Sequence, residues 1–295
     1  MKIEKYLYEH FGKVKPTGFF EATPTFKKIH AALEGAVEDA QWLAIYGPIM
    51  SGKTTAVDFA LSRIQSGSRE RCRFVNLYWP ERTGINISEI LNQIIYTTGL
   101  EFIGTASPKR GKEMRMLQVL DILTAAKVKG NHIVLLIDEA HELHLATLKA
   151  LKRLWEYKFK GQSDLISIIL TGQPSLEKKI QSDAEIRKRV IQMPFEYAQG
   201  SRAHIAKFIG SGLINNEIAS ALSSRFEQVG DIVHAIREAM LTAEMLGTDA
   251  LDVTYFPWPT ERKESRRRGE KLSVDASALE DLAGRFGVRK DGTNG

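Results

Sequence analysis

The amino-acid sequence predicts an α/β fold, in which a parallel sheet is flanked by helices and is followed by a small domain made of helices alone. Short apolar runs alternate with helical segments as far as residue 196, and such alternation is typical of a parallel sheet. One run, 133–137, is aliphatic at every position, as in a strand buried on both faces. From 197 to 246 the helical spacing continues without a strand, which predicts the second domain.

The spacing of apolar residues and the turn residues between them place each element. Strands are predicted at 42–46, 73–78, 133–137, 165–170 and 191–195, and helices at 25–37, 53–65, 88–98, 112–128 and 145–158. Thr25 and Ser88 are expected to cap two helices, and Gly67 and Gly99 to end two. The resulting domains are an N-terminal segment (1–24), a core (25–196), a helical lid (197–250), and a linker with a basic C-terminal tail (251–295).

Composition limits the classes of protein to consider. The chain has 295 residues, 43% hydrophobic and 26% charged, which is ordinary for a globular protein with a sizeable core. Cys72 is the only cysteine, so neither an intramolecular disulfide nor a cysteine metal site is expected. Residues 1–16 lack the apolar region of a signal peptide, and no apolar run reaches the length of a membrane span. We therefore expect a cytoplasmic protein without a membrane partner; its net charge of +5 is compatible with a polyanionic one.

A glycine-rich motif follows the first predicted strand. It fits the pattern G-x-x-x-x-G-K-[ST] and leads directly into a helix. In such a loop the backbone N–H groups converge on phosphate oxygens, the lysine reaches the β- and γ-phosphates, and the hydroxyl ligates magnesium. The motif therefore predicts binding of ATP and Mg²⁺. The residues expected to contact the nucleotide are Gly47, Pro48, Ile49, Met50, Ser51, Gly52, Lys53, Thr54 and Thr55.

Two carboxylates, Asp138 and Glu139, end the aliphatic strand. Buried charges at that place need a partner, and magnesium would supply one. Asp138 would hold the ion together with Thr54, and Glu139 would polarise the water that attacks the γ-phosphate. The alternative for Asp138 alone is an acidic cap of a following helix.

The segment 136–141 (Leu-Ile-Asp-Glu-Ala-His) and the later segment 170–176 (Leu-Thr-Gly-Gln-Pro-Ser-Leu) resemble those of AAA+ ATPases of the ExeA, TniB, TnsC and Mu B-protein kind. Residues 19–24 are similar to the start of the ExeA-like branch, and the resemblance covers residues 15–245. It implies a P-loop AAA+ core with a helical lid. It also implies that Thr171 or Gln173 acts as sensor 1, a residue that reads the γ-phosphate; turn capping is the alternative for Thr171.

The resemblance further implies residues that act between subunits. Arg189, or its neighbour Arg187, corresponds to the arginine finger that enters the site of an adjacent subunit; the alternative is a solvated basic helix end. Sensor 2 is usually an arginine in the lid, but the matching stretch contains His234, with Arg237 one turn later. The alternative for His234, and the one that a lone histidine favours, is an ordinary lid histidine. In that case either hydrolysis is slow or Arg237 substitutes as sensor 2. AAA+ modules complete each site with a neighbour, so ATP is expected to drive formation of a ring or helical filament.

The relatives perform two different functions. Mu B-like and TnsC-like proteins coat double-stranded DNA and activate the transposase, whereas ExeA-like proteins help to assemble a secretion machine and normally carry a membrane span and a wall-binding domain. This sequence shows neither, which favours the DNA-binding function. A replication-initiation or helicase-loading ATPase is a third possibility. The residues expected to contact DNA phosphates, unless they belong to an ordinary solvated loop, are Arg82, Lys109, Arg110, Lys112 and Arg115.

The C-terminal tail has two features. A basic run at 262–271 would either contact DNA or remain disordered. After it, Leu279, Leu282, Ala283 and Phe286 recur at helical spacing and predict a short amphipathic helix. That helix would dock on a partner such as the transposase or fold back on the lid, and the sequence leaves both open.

Overall fold

The structure is a computed structural model, and it describes residues 23–67, 71–77, 85–159, 161, 164–210, 214–246, 251–257 and 259. The chain divides into one unit that ends at Trp258 and a second that begins at Pro259. All of the helices and strands that the structure describes lie in the first unit. Most of the predicted N-terminal segment, the C-terminal tail and Arg82 lie outside the described residues.

Five parallel strands form one sheet in the order β2-β3-β4-β1-β5. Every residue of β1 and β4 is buried, because helices cover both faces of the sheet. The predicted α/β fold with a parallel sheet is therefore confirmed. The strands are β1 (Trp42–Tyr46), β2 (Arg71–Leu77), β3 (Asn131–Ile137), β4 (Ile166–Gly172) and β5 (Val190–Pro194).

Helices connect the strands and continue after the sheet. The described part of the lid region is helical without a strand, as expected. None of the described helices combines the length and apolarity that a membrane span requires. The helices are α1 (Pro24–Glu38), α2 (Lys53–Gly67), α3 (Ile87–Ile103), α4 (Lys112–Val128), α5 (Leu145–Trp155), α6 (Ser175–Gln181), α7 (Ala184–Arg187), α8 (Gln199–Ile209), α9 (Asn216–Arg225) and α10 (Val229–Met245), with 3₁₀ turns at Ala140–Glu142 and Val253–Tyr255.

Two apolar cores lie on opposite faces of the sheet. Side chains alternate along β1, so that Leu43 and Ile45 belong to one core, and Trp42 and Ala44 belong to the other. The first core contains apolar residues of α1, α2 and the lid helices α8, α9 and α10. The second contains those of α3, α4 and α5. The lid thus shares one core with α2, the helix that follows the glycine-rich motif.

Three predicted helix ends were wrong. Helix α1 begins at Pro24, because the Thr23 side chain caps it by accepting from the N–H of Phe26 at 3.2 Å, so Thr25 is not the cap. Helix α3 is capped by Asn86, whose side chain accepts from the N–H of Ser88 at 2.9 Å, so Ser88 is not its cap. The end that was predicted at residue 158 lies at Trp155 instead.

Helix α3 also continues through Gly99, where it was expected to end. It ends at Gly104, whose φ of 72° lies in the left-handed region. After that turn the chain passes back along the helix, and the carbonyl oxygen of Thr105 lies where a Cβ at position 99 would be. Gly99 is therefore needed for a close approach of two backbone segments inside a helix.

We expect Gly99→Ala to lower the free energy of unfolding by about 1–3 kcal/mol, because the added methyl group would collide with the carbonyl of Thr105. Gly35→Ala is the matched control, because Gly35 also lies within a helix but has open space around its Cβ position. That control should raise stability by roughly 0.5–1 kcal/mol. Urea unfolding of both variants measures the difference, and destabilisation of the same size at both positions would contradict the assignment.

Candidate nucleotide-binding site

The glycine-rich motif forms a loop, called the P-loop below (Gly47–Thr54), between β1 and α2. The N–H of Gly47 donates to the carbonyl of Gly172 at 3.1 Å, which fixes the loop to the end of β4. A Cβ at Gly47 would collide with the carbonyl of Phe195, so only glycine fits there. Met50 and Gly52 have φ values of 60° and 88°, and these two left-handed residues turn the loop back toward α2. The loop therefore presents its N–H groups at the start of a helix, an arrangement suited to anions.

The side chain of Lys53 folds over the P-loop. Its ammonium donates to the carbonyls of Gly47 at 3.0 Å and Pro48 at 2.6 Å, and to the hydroxyl of Ser51 at 3.3 Å. Burial lowers the pKa of Lys53, whereas the negative charges of Glu139 and Asp138 act in the opposite direction. A phosphate oxygen is a stronger acceptor than these neutral groups, so Lys53 fits a ligand phosphate in the loop.

Asp138, at the end of β3, accepts hydrogen bonds from three parts of the chain. The hydroxyl of Thr54, 84 positions earlier, donates to its Oδ2 at 3.1 Å. The hydroxyl of Thr171, at the end of β4, donates to its Oδ1, as does the N–H of Glu139 at 2.9 Å. Since β4 lies between β1 and β3, the sheet order brings these groups to one edge. The structure thus brings the P-loop and the predicted metal ligand together.

The oxygen atoms of Thr54 and Asp138 fit a magnesium ion. Mg²⁺ prefers oxygen ligands and usually takes only one or two from the protein, with water and phosphate oxygens supplying the rest. Within the described ranges, no group of three His, Cys, Asp or Glu side chains could hold a metal ion by itself. The two oxygen donors at this edge would suit an Mg²⁺ ion whose other ligands are water and phosphate oxygens.

Glu139 lies beside this cluster in an unusual backbone conformation, with φ at 53°. A non-glycine residue in the left-handed region is strained, and such strain is concentrated at functional sites. Its carboxylate is 41% exposed and lies 3.1 Å from Nδ1 of His141. Glu139, Thr54, Asp138 and Thr171 all line one cavity of about 250 Å³. A water in that cavity would be within reach of the Glu139 carboxylate.

The two candidates for sensor 1 differ in position. Thr171 is buried, and its hydroxyl donates to Asp138 rather than capping a turn. Gln173 is only half-buried, and its backbone N–H lies 3.5 Å from Nδ1 of His141. Of the two, Thr171 belongs to the cluster around Asp138.

The predicted arginine fingers lie apart from this cavity. Arg187 and Arg189 are both exposed, and neither lines the cavity that Glu139 faces. Nε of Arg189 donates to Glu156, in the turn after α5, at 2.6 Å. Residues that serve the site of an adjacent subunit must be exposed in this way.

The lid contacts the P-loop directly. The N–H of Gly230, in the first turn of α10, donates to the carbonyl of Met50 at 2.8 Å. A Cβ at Gly230 would lie 2.6 Å from Cβ of Met50, so this approach also requires glycine. His234 and Arg237 follow at i+4 and i+7 on the same face of the helix, and both are exposed. The predicted sensor 2 residues thus continue the helix face that begins on the P-loop.

Tyr197 was not predicted as a site residue. Its ring lies 4.0 Å from the Cβ position of Gly52 and packs edge-on against Phe195. Burial raises the pKa of Tyr197, and its hydroxyl has no hydrogen-bond partner within the described ranges. The alternating aromatics at 195 and 197 are the only sequence signal that indicates this position.

Apart from Arg82, which is outside the described residues, the residues predicted to contact DNA lie where α4 begins. Lys109, Arg110 and Lys112 are exposed. The half-buried Arg115 is engaged within the protein, because its guanidinium donates to Oδ1 of Asn92 at 3.1 Å. Arg115 therefore supports the segment rather than presenting a free charge.

The buried side chain of Gln118 holds the same segment in place. It accepts from the N–H of Lys109 at 2.9 Å and donates to the carbonyl of Ser107 at 3.0 Å. The segment 107–112 is thus a braced loop with cations on its surface.

The strand order, the P-loop and the acidic end of β3 together define a P-loop AAA+ fold. Residues 37–180, just under half of the chain, match the family model described as AAA domain. That stretch contains the P-loop, both carboxylates and β4. No curated protein matches the sequence significantly.

Solved structures of similar fold include ORC2 of Aeropyrum pernix in ADPNP–ADP complexes (TM-score 0.57, 16% identity, covering 78% of this chain and 64% of that one). They also include Cdc6p of Pyrobaculum aerophilum (0.59, 15%, 77% and 64%) and ORC1 of Aeropyrum pernix in complex with DNA (0.54, 12%, 78% and 62%). The chain spans less than two thirds of the length of each of these three proteins. At such identities the similarity establishes the fold. It does not establish the transposition branch.

We expect Lys53→Ala to weaken ATP binding by about tenfold to a hundredfold, since a hydrogen bond to a charged group contributes about 1.5–3 kcal/mol. Titration with a fluorescent ATP analogue measures this effect. Lys27→Ala, on the exposed side of α1, is the control for lost charge.

Glu139→Gln should bind ATP normally but lose turnover, because the amide cannot accept the proton of the attacking water. A phosphate-release assay measures the turnover. Equal turnover by wild type and Glu139→Gln would overturn the assignment of Glu139.

Proposed function

We propose that the protein is a Mg²⁺-dependent ATPase that assembles on double-stranded DNA and regulates a transposase. The observation that carries the ATPase part is the meeting of Thr54, Asp138 and Thr171 at the edge of the P-loop. A hydroxyl beside the P-loop lysine and a carboxylate at the end of a buried strand are the two protein ligands that P-loop ATPases use for the magnesium of a bound nucleotide.

Each side chain of the site has a distinct task. Bound ATP with Mg²⁺ supplies the phosphoryl group that is transferred to water. Lys53 would neutralise phosphate charge, and Thr54 and Asp138 would hold the metal. Glu139 accepts a proton from the attacking water, and Thr171 fixes Asp138 in place. No other protein group is needed for proton transfer, so the remaining contribution is stabilisation of charge on the phosphoryl group.

An arginine from a neighbouring subunit would supply that stabilisation. Arg189 is exposed and lies outside its own site, where its Nε donates to Glu156 at 2.6 Å. This arrangement supports a homo-oligomer, ring or filament, in which each site is completed by the next copy.

We expect Arg189→Ala alone to hydrolyse ATP slowly while binding it normally. Mixing it with Glu139→Gln should restore turnover, because the second variant carries an intact Arg189 that can serve the intact site of the first. Arg187→Ala in the same assay is the matched control. Rescue of Arg187→Ala together with normal turnover by Arg189→Ala would transfer the role to Arg187.

DNA is the partner that the surface supports. The braced loop at 107–112 presents Lys109, Arg110 and Lys112 to solvent, and the chain carries a net charge of +5. Contacts from these cations to phosphates would give affinity without sequence specificity. ORC1 of Aeropyrum pernix, which shares the fold, has been solved in complex with DNA. A core of this kind is therefore compatible with a DNA partner.

The transposase is the partner that the sequence motifs suggest. The segments 136–141 and 170–176 resemble the transposition ATPases, and this resemblance is the support for target selection and transposase activation. Electron microscopy with and without duplex DNA tests the proposal. ATP-dependent filaments that need DNA support it, whereas rings that form equally well without DNA indicate a protein-assembly adaptor of the ExeA type.

The double variant Lys109→Ala with Arg110→Ala should weaken DNA binding and reduce the slope of log K against log salt by about 1.8, since each lost phosphate contact removes about 0.9. The matched control is Lys27→Ala with Lys28→Ala, which removes the same charge from the exposed side of α1. Fluorescence anisotropy with a labelled duplex at several salt concentrations measures both. Equal slopes for the two double variants would remove the loop from the DNA interface.

A further inference from the structure

The turn that follows Glu139 holds one imidazole between two carboxylates. Nδ1 of His141 lies 3.1 Å from Oε2 of Glu139, and Nε2 lies 3.1 Å from Oε1 of Glu142. The histidine is only 9% exposed, whereas both carboxylates are more than 40% exposed. A buried ring thus contacts a partly exposed carboxylate on each side.

The position of the imidazole is determined by neighbouring elements. Lys179 of α6 donates to the carbonyl of His141 and to that of Leu143, the latter at 2.9 Å, and so fixes the turn at both ends. A Cβ at Gly172 would lie 3.1 Å from the backbone nitrogen of His141, so the end of β4 packs closely against the turn. These contacts fix the backbone from which the buried ring of His141 reaches Glu139.

Nδ1 of His141 has two neighbours that differ in strength. The Glu139 carboxylate lies at 3.1 Å, whereas the N–H of Gln173 lies at 3.5 Å, the outer limit for a hydrogen bond. The Glu139 carboxylate is both closer and charged, so it is a stronger hydrogen-bond partner of Nδ1 than the N–H of Gln173 is. We therefore place the hydrogen of the ring on Nδ1, which donates it to Glu139. The carboxylate of Glu142 lies 3.1 Å from the opposite nitrogen, Nε2, on the other side of the ring.

We infer that His141 is a positioning residue for the reaction: it holds the carboxylate of Glu139 at the cavity where the attacking water binds. The inference rests on the proposed role of Glu139. A general base must lie within hydrogen-bond reach of the proton that it accepts, and a glutamate that is 41% exposed has many side-chain conformations in which it does not. The contact with His141 selects among those conformations before the nucleotide binds.

Substitutions at position 141 test this because they separate its two nitrogens. His141→Asn retains a donor near the position of Nδ1, toward Glu139, while His141→Gln retains one near the position of Nε2, toward Glu142. We expect His141→Ala and His141→Gln to lower kcat by about tenfold or more, and His141→Asn to recover most of it, with the Kd for ATP changed by less than about twofold in all three. His30→Ala, which removes the partner of Glu34 on α1, is the matched control and should leave kcat unchanged.

A second measurement needs no nucleotide. Melting temperatures of Glu139→Gln, His141→Ala and the double variant form a cycle that reports the contact itself. We expect a non-additive result, because the first substitution already replaces the charged acceptor. Additive shifts, or equal kcat values for the Asn and Gln variants at position 141, would overturn the inference. If Glu139→Gln retains full turnover, the proposed catalytic role fails first; if it loses turnover while His141→Ala does not, only the positioning role fails.

Discussion

The hydrogen bonds that converge on Asp138 are the feature on which the site depends. A carboxylate at the end of a buried strand is costly unless donors satisfy it, and here a hydroxyl from α2, a hydroxyl from β4 and a backbone N–H do so. The donors come from segments that only the sheet order brings together. The fold therefore fixes the carboxylate that we propose as a metal ligand, and the same bonds tie the P-loop to the centre of the sheet.

The lid is attached to the same P-loop by a hydrogen bond of its own. The carbonyl of Met50, in a left-handed residue of the loop, accepts from the first turn of α10 at 2.8 Å. Below this contact, the lid helices and α2 share one apolar core. A change in the loop backbone must therefore alter a hydrogen bond of the lid, and a movement of the lid must alter the loop. The lid is the region in which His234 and Arg237 lie, so this bond joins the nucleotide site to the predicted sensor 2.

Local patterns in the sequence predicted the strands, the P-loop and the acidic pair, because each rests on residues that are adjacent in the chain. The helix end at Gly99 was mispredicted because the reason for that glycine is the returning backbone at Thr105, which helical periodicity does not reveal. Tyr197 was missed for a similar reason, since its neighbour Gly52 lies far away in the sequence. The role of His141 also depends on Lys179 and Gly172, two residues of other elements. Contacts of this kind require the folded chain.

The segment proposed to contact DNA, 107–112, does not line the cavity of the nucleotide-binding site. The core has the same fold as proteins that are only 12–16% identical to it, so the sheet and the P-loop do not distinguish one AAA+ function from another. We expect the differences in partner between such proteins to lie in their surface segments. In this chain one such segment, 107–112, is braced by the buried Gln118 and by the bond between Arg115 and Asn92. These bonds give the segment a fixed conformation from which Lys109, Arg110 and Lys112 meet solvent. In the proposed complex with DNA, that conformation would hold the three cations at a constant spacing toward the phosphates.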